Sequence, residues 1–357
     1  MSDIGAAVVG TGFIGAVHVE ALRRLGINVV GVVGSSWERA NASGLAPAFD
    51  SFEDMLDDKR VSVVHITTPN RLHHPQAKAA LEAGKHVVCE KPLAMTSAES
   101  ADLLQTAERS GLVHAVNFNL RFYPVVQHLH GAIAAGELGI VRLVSGHYLQ
   151  DWLLLESDWN WRVDPDQGGG LRAVGDIGSH WMDITSFLTG RRITSVMADL
   201  ATFIPSRGGR KVDTEDAATI LLRYEDGQRG LVAVSQVSAG RKNSLVFEID
   251  GSTAAAAWNS ESPDELWFGR RGANNEVLQR DPALLNAEGK LATYLPGGHV
   301  EGFGETFKSL YKAVYAAVKQ GRPGTGYPTF ADGHDSMLVC EAVARSSREE
   351  RWVEVKR

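Results

Sequence analysis

The stretch from Ile4 to Val33 constrains this chain more than any other. An apolar run, Ile4-Gly5-Ala6-Ala7-Val8-Val9, leads into Gly10-Thr11-Gly12-Phe13-Ile14-Gly15. The run is short and wholly apolar, as a strand buried on both faces of a parallel sheet requires. Behind the glycines, Ile14, Val17, Ala21, Leu22 and Leu25 recur at spacings of three and four, the pattern of an amphipathic helix. A second apolar strand follows at Val29 to Val33. In this context each glycine has a task. Gly10 permits the tight turn, Gly12 leaves room for a pyrophosphate, and Gly15 lets the helix approach the strand. The helix N-terminus offers unpaired N–H groups and partial positive charge to phosphates. With 37 glycines in the chain, a GxGxxG alone is weak and a purely structural turn is the alternative. The strand–turn–helix setting favours a dinucleotide site.

The alternation continues. Strands are expected at Val61 to Thr67, His86 to Cys89 and Leu112 to Val116, with helices at Pro75 to Ala83 and Ser97 to Ser110. This predicts a doubly wound parallel sheet, whose ligands bind at the carboxyl ends of the strands. Three polar clusters fall at those ends: Thr67-Thr68-Pro69-Asn70 with His73, Glu90-Lys91-Pro92, and Asn117 to Arg121. Lys91 reads equally well as a surface lysine in a turn when taken alone. After the second strand the residues are Gly34-Ser35-Ser36-Trp37-Glu38-Arg39, where an NAD-specific fold usually has an acid for the ribose 2′-OH. Ser35 and Ser36 suit a hydroxyl or a phosphate, and Arg39 supplies positive charge. Glu38 turned inward is the opposing possibility. The expectation is that both NAD and NADP are accepted, with Ser36 and Arg39 near the adenosine ribose.

The rhythm changes near residue 122, which divides the chain into an expected dinucleotide domain (1–122) and a second α/β domain (123–357). Beyond a helix at Val125 to Ala135, extended segments are read at Val141 to Trp152, Ile193 to Ile204, Ala217 to Tyr224, Gly230 to Val237, Ser244 to Asp250 and Glu265 to Gly269. Turn signals every ten to twelve residues or so predict a largely antiparallel sheet. Helices near Glu301 to Lys319 and Ala331 to Ser346 close the chain. Within this half, Asp176-Ile177-Gly178-Ser179-His180 opens a helix that ends near Leu188 with Gly190 as its cap. Residues four apart share a face, so Asp176 and His180 stand together with Asp183 a turn further on. Ile177, Trp181, Ile184 and Leu188 form a separate apolar stripe. The Asp/His pair reads as a cleft-facing pair or as a hydrogen-bonded support for the fold; no HExxH pattern or nearby cysteine pair favours a metal. Upstream, Trp152, Trp159 and Trp161 interleave with Asp151, Asp158, Asn160 and Arg162. Such a segment suits a carbohydrate, or equally a tryptophan-rich core corner.

Composition excludes several classes. A net charge of −7 with no basic run offers no footprint for nucleic acid. Two distant cysteines, Cys89 and Cys340, make no disulfide framework and read as reduced thiols. The N-terminus, Met1-Ser2-Asp3 followed at once by the first strand, lacks a signal-peptide pattern, and no apolar stretch is long enough to span a bilayer. A cytoplasmic location is expected, with no membrane partner.

The motif series Gly10 to Gly15, Thr68-Pro69-Asn70 with His73, Glu90-Lys91-Pro92 and Asp176 to His180 resembles the glucose–fructose oxidoreductase/inositol dehydrogenase/MocA family over essentially the whole chain. The resemblance implies a Rossmann domain followed by an α/β domain with a large open sheet, which commonly forms the interface of homodimers or homotetramers. It implies Lys91, Asp176 and His180 as catalytic residues. It places Thr67, Thr68, Pro69, Asn70, His73, Glu90, Lys91 and Asn119 near the cofactor, beside Gly10, Gly12, Phe13, Ile14, Gly15, Ser35, Ser36 and Arg39. Substrate contacts are expected from Lys91, Asn117, Arg121, Tyr123, Asp151, Trp152, Trp161, Arg162, Asp176, His180 and His299. The Asp151-Trp152, Trp159 to Arg162 and Leu295 to His299 segments look most like glycoside- and anhydrosugar-oxidising members. The implied activity is NAD(P)-dependent oxidation of a secondary hydroxyl, or its reverse. Lys91 and His180 both stand as the immediate base, with Asp176 orienting Lys91 or binding a neighbouring hydroxyl. An NAD-using glycoside hydrolase, a non-catalytic dinucleotide sensor and an oxidoreductase that never releases its dinucleotide are the alternatives.

Overall fold

The computed structural model describes residues 4–357; Met1, Ser2 and Asp3, read above as running straight into the first strand, lie outside the described residues. The first elements are β1 (Gly5–Val9), α1 (Phe13–Arg24), β2 (Asn28–Val33), α2 (Trp37–Ala42), α3 (Phe52–Asp57), β3 (Val61–Ile66), α4 (His73–Glu82), β4 (His86–Cys89), α5 (Ser97–Ser110) and β5 (His114–Val116). Then come α6 (Pro124–Ala134), β6 (Leu143–Leu149), α7 (Pro165–Gly168), α8 (Ser179–Thr189), β7 (Ile193–Ala201), β8 (Ser206–Arg207), β9 (Arg210–Lys211), β10 (Ala217–Tyr224) and β11 (Arg229–Ser235). The chain ends with β12 (Ser244–Asp250), β13 (Ala255–Asn259), β14 (Glu265–Gly269), β15 (Glu276–Gln279), α9 (Ala287–Ala292), α10 (Phe303–Gln320), α11 (Phe330–Glu349) and β16 (Val353–Glu354). No helix among the described residues is long and apolar enough to cross a membrane.

The chain forms two compact units, residues 4–119 with 304–337, and residues 120–303 with 338–357. A single boundary after residue 122 therefore misses a return of the chain. The apolar stripe of α10 explains it: Phe307 and Tyr311 pack on the His18 ring of α1, with ring centroids 5.6 and 5.1 Å away.

The first unit holds a five-stranded sheet among the described residues, in the order β2-β1-β3-β4-β5, with parallel pairing throughout. Strand order reverses between β1 and β3, which is where a doubly wound sheet opens its ligand crevice. The strands are mostly apolar because both faces are covered: Ala7, Val9, Val64, Ile66 and Val87 are all buried.

The second unit holds a nine-stranded sheet among the described residues, ordered β15-β14-β13-β12-β6-β11-β10-β7-β16. Its pairs are antiparallel except β6 with β11. One face carries the core, which receives the predicted stripe: Ile177 from the turn before α8, and Trp181, Ile184 and Leu188 from α8 itself. Gly146 of β6 makes this docking possible. A Cβ there would lie 2.0 Å from the Val246 carbonyl oxygen and 2.9 Å from Trp181 Nε1, which instead donates to that same carbonyl at 2.9 Å. Three strands of this sheet, β13, β15 and β16, and the two-residue β8 and β9 outside it, were not expected from sequence. β13 begins with three alanines, which lack the branched and aromatic side chains by which strands are recognised.

Candidate active site

In the first unit the glycine turn is built for a close ligand. Gly10 has φ +109°, and a Cβ on it would lie 2.6 Å from Thr67 Oγ1. A Cβ on Gly15 would lie 2.0 Å from the Gly10 carbonyl oxygen, so only glycine lets α1 start this close to β1. A Cβ on Gly12 would meet nothing within 4 Å, which leaves open space above the turn. Gly12 is also the N-cap of α1 and supplies no side-chain cap, so the first N–H groups of the helix face that space. This cradle fits a dinucleotide pyrophosphate. Phe13 is exposed beside it and Ile14 half-buried. The Thr67 hydroxyl donates toward the Val9 and Gly10 carbonyls at 2.9 and 3.0 Å, tying the end of β3 to the turn.

Past β2, Ser36 caps α2, its hydroxyl accepting from Arg39 N at 3.4 Å, and Arg39 Nη1 donates to Ser35 Oγ at 3.3 Å. All three residues are exposed. Glu38 is exposed too, and a hydrogen bond with Ser36 holds its carboxyl below the usual carboxylate range.

Lys91 is half-buried just past β4 and forms a cis peptide with Pro92. Its surroundings are braced from two sides. His73 is buried, with Nδ1 2.7 Å from the Pro92 carbonyl oxygen and Nε2 2.9 Å from that of Thr68, which links the ends of β3 and β4. Burial pushes the His73 pKa down, against the pull of the two carbonyls. Glu90 accepts from the Lys91 main-chain N–H at 3.2 Å and from Asn117 Nδ2 at 2.5 Å. Asn119 donates to Thr306 of α10 at 2.7 Å and is buried there. Thr68 bonds Gln76 at 2.7 Å, Pro69 is half-buried, and Asn70, buried, begins a 3₁₀ turn.

In the second unit, residues Val174–Gly178 form a π-helical turn that runs directly into α8. This turn carries Asp176, and His180 follows in the first turn of α8. Asp176 Oδ2 accepts from Gln236 Nε2 at 2.9 Å, and Oδ1 lies 3.2 Å from Arg162 Nε. The Arg162 guanidinium covers the Trp161 ring at 4.4 Å, so the tryptophan-rich segment reaches Asp176 through Arg162. Arg207, fully buried, pins that segment by donating to the Leu155 and Leu153 carbonyls at 2.7 and 2.6 Å. The His180 ring is buried 6.5 Å from that of Tyr148. Burial, then Tyr123 and Asp176, push the Tyr148 pKa far up, so its hydroxyl keeps its proton. That hydroxyl donates to Asn243 at 2.9 Å.

The other residues expected from sequence have these surroundings. Arg121 is buried and donates through Nε to Asp183 at 2.8 Å, beneath the ring of Phe187, so Asp183 belongs to an ion pair rather than to the Asp176 face. Tyr123 is buried against Trp258, with centroids 4.9 Å apart. Asp151 binds Lys242 at 2.7 Å, which chiefly holds its carboxyl below the usual range. Trp152 donates to Gln150 at 2.7 Å, and His299 is exposed.

Comparison with known proteins accords with this arrangement. Residues 4–118 match the family described as oxidoreductases with an NAD-binding Rossmann fold, and residues 126–257 match the GFO/IDH/MocA C-terminal domain. Levoglucosan dehydrogenase of Pseudarthrobacter phenanthrenivorans is 31% identical over 99% of both chains. The chain is a GFO/IDH/MocA oxidoreductase. Among solved members of this family, levoglucosan dehydrogenase in complex with NADH and levoglucosan superposes with a TM-score of 0.93 at 30% identity, covering 99% of both chains. An inositol dehydrogenase homolog from Azotobacter vinelandii, complexed with NAD+, gives a TM-score of 0.89 at 29% identity over 98% of this chain and 97% of that one.

Sequence reasoning missed the supports of this oxidoreductase's Asp/His helix. Glu215, buried just before β10, accepts from Arg172 N at 2.9 Å and Val174 N at 2.8 Å, so it caps the π-helical turn that carries Asp176. Burial lifts its pKa to about 7, outweighing the pull of those N–H groups and of Arg172. The folded state therefore keeps a proton that the unfolded state has released above its ordinary value of 4.5. The stabilisation is full at low pH and is lost as pH rises from there toward about 7. The difference in Tm between the native protein and Glu215→Gln, which cannot titrate, is expected to fall across that window. A difference that is flat or rises there contradicts the assignment.

Proposed function

We propose that this oxidoreductase converts a secondary hydroxyl of a sugar, glycoside or cyclitol to a ketone, or the reverse, with Lys91, Asp176 and His180 as its catalytic residues. The observation carrying this reading is Asp176 held by Gln236 and Arg162, with Trp161 against Arg162 and the His180 ring beside Tyr148. Carboxylate, imidazole, guanidinium and ring faces together recognise a polyhydroxylated ring. The names of the similar proteins, levoglucosan dehydrogenase and inositol dehydrogenase homolog, support the same substrate class.

The bound nicotinamide supplies the hydride acceptor for the carbon that bears the hydroxyl. The chain's own residues then handle the proton. His180 or Lys91 takes it from the hydroxyl as negative charge develops, and the other donates a hydrogen bond to the oxygen. Asp176 accepts from a neighbouring hydroxyl, its position set by Gln236 and Arg162. Tyr148 remains a hydrogen-bond donor. A panel of levoglucosan, myo-inositol, L-sorbose, free hexoses and glycosides, followed by NADH or NADPH absorbance, tests the reading. Release of a free aglycone without net NADH points instead to hydrolysis, and no turnover with any of them refutes the substrate class.

Both cofactors are expected to serve. Ser35, Ser36 and Arg39 stand exposed beyond β2, opposed by the ionised Glu38, and would face the adenosine ribose. The ratio of kcat/KM values is expected to stay below about a thousandfold, roughly 4 kcal/mol. Arg39→Ala should shift it toward NAD, and a larger native ratio excludes a tolerant pocket. Met197, Leu221 and Leu231, in register on β7, β10 and β11, are exposed on the open sheet face. Such a patch supports assembly as a homodimer or homotetramer.

A further inference from the structure

Behind Glu90 lies a buried string of side chains with no part in the chemistry above. Tyr315 Oη, on α10, lies 3.0 Å from His65 Nε2. His65 Nδ1, on β3, lies 3.1 Å from His18 Nδ1, and His18 Nε2, on α1, lies 3.0 Å from Glu90 Oε1. Both histidines are wholly buried. The string ends on the carboxylate that also accepts from Asn117 and from the Lys91 main chain. Apolar side chains of similar size would fill this space without the desolvation that two imidazoles and a phenol incur. Their arrangement therefore calls for a reason beyond packing.

Counting hydrogens identifies the donor toward Glu90. Two ring nitrogens 3.1 Å apart share one proton between them. His65 stays neutral, since burial and then His18 press its pKa well down. With its proton on Nδ1, His65 donates to His18 Nδ1, Tyr315 donates to His65 Nε2, and a neutral His18 carries its own proton on Nε2. With its proton on Nε2, His65 donates to Tyr315, and His18 must protonate Nδ1 to complete the ring–ring bond. A second proton on His18 Nε2 then preserves the bond to the carboxylate. With Glu90 ionised, the nitrogen that faces it is a donor in either arrangement, since a bare Nε2 would set two acceptors against each other.

We propose that His18 is a positioning residue for the reaction: backed by His65 and Tyr315, it presents a fixed N–H to Glu90, which in turn holds the Lys91 main chain and so the pose of the lysine. The inference rests on reading Lys91 as a proton-handling group. It also gives α1 two duties, since the same helix begins at the dinucleotide cradle.

The test compares His18→Phe, which keeps a ring and loses both nitrogens, with His18→Gln, which keeps an amide N–H for Glu90. Lys91→Ala is the control. Assays use the fastest substrate of the panel, beginning with levoglucosan and NAD. His18→Phe is expected to lower kcat about tenfold to a hundredfold, the effect of a displacement on the order of 1 Å. KM and the NADH dissociation constant should stay near native values, and His18→Gln should recover most of the loss. Equal losses in the two variants, or a lowered Tm with native kcat, overturn the proposal. If Lys91→Ala itself turns over normally, the reading of Lys91 fails; if that variant is inactive while His18→Phe is normal, only the positioning role fails. A readout independent of substrate and of the Phe variant's folding is nitrogen NMR of histidine-labelled native protein, with the His18 signals identified by their loss in His18→Gln. A protonated Nε2 on His18 is expected, and a bare Nε2 overturns the proposal.

Discussion

Lys91→Ala is expected to lower kcat by about 10²- to 10⁴-fold, the usual contribution of an acid–base group. NADH affinity should stay near the native value. The reason lies in what the substitution leaves untouched. The Lys91 main chain is held by Glu90, and the adjoining Pro92 carbonyl by His73. The Lys91 side chain is only half-buried and is not part of the apolar core of its unit. Truncating such a residue changes stability by about 0.5 kcal/mol or less. The pyrophosphate cradle at Gly10, Gly12 and Gly15 is built from main chain and does not depend on it. Steady-state kinetics beside an NADH fluorescence titration separate the two effects. A loss of only a few-fold in kcat assigns the proton elsewhere, and a matching loss of NADH affinity makes Lys91 a cofactor ligand instead.

What was legible in the sequence depended on whether the physical demand is local. Gly15 announces itself because a Cβ there collides with the Gly10 carbonyl in the same turn, and Gly10 because the turn needs its φ of +109°, although the Thr67 atoms that a Cβ on it would strike come from the end of β3. The stripe of Ile177, Trp181, Ile184 and Leu188 announces itself because helical spacing carries it. The tasks of Glu215, Tyr148 and Gln236 come from tertiary neighbours, and no local pattern marks them. Arg121 illustrates the same limit. It lies near a strand end, as an expected substrate residue should, but its carboxylate partner, Asp183, is on a helix far along the chain. The π-helical turn at Val174–Gly178 is a further case, since spacing rules assume the α-helical period. His18 looks like one more polar position on an amphipathic helix, and only the approach of His65 and Glu90 gives it a role.

Removing His180 is expected to abolish the limb of the kcat/KM profile that rises with pH. A general base must be deprotonated to act, so the rate climbs as that base loses its proton, and histidine titrates in the accessible range. The surroundings narrow the candidates. Tyr148, beside His180, has its pKa pushed far upward by burial and by Tyr123 and Asp176, so it contributes no rising limb near neutrality. Asp176 is braced by Gln236 and Arg162, which suits holding a hydroxyl better than shuttling its proton. His180 and Lys91 remain, and the profile distinguishes them. If His180→Ala keeps the limb at the same pH while Lys91→Ala loses it, Lys91 is the immediate base and His180 only hydrogen-bonds the substrate. Asp176→Asn supplies the comparison. It preserves shape and removes charge, so its effect should fall on KM for the sugar, with the rising limb in place and NADH affinity native. His180 is buried against Tyr148, so its removal also leaves a gap, and thermal melts of each variant must confirm a folded protein at the assay temperature. A folded His180→Ala variant with the native profile removes His180 from the chemistry altogether.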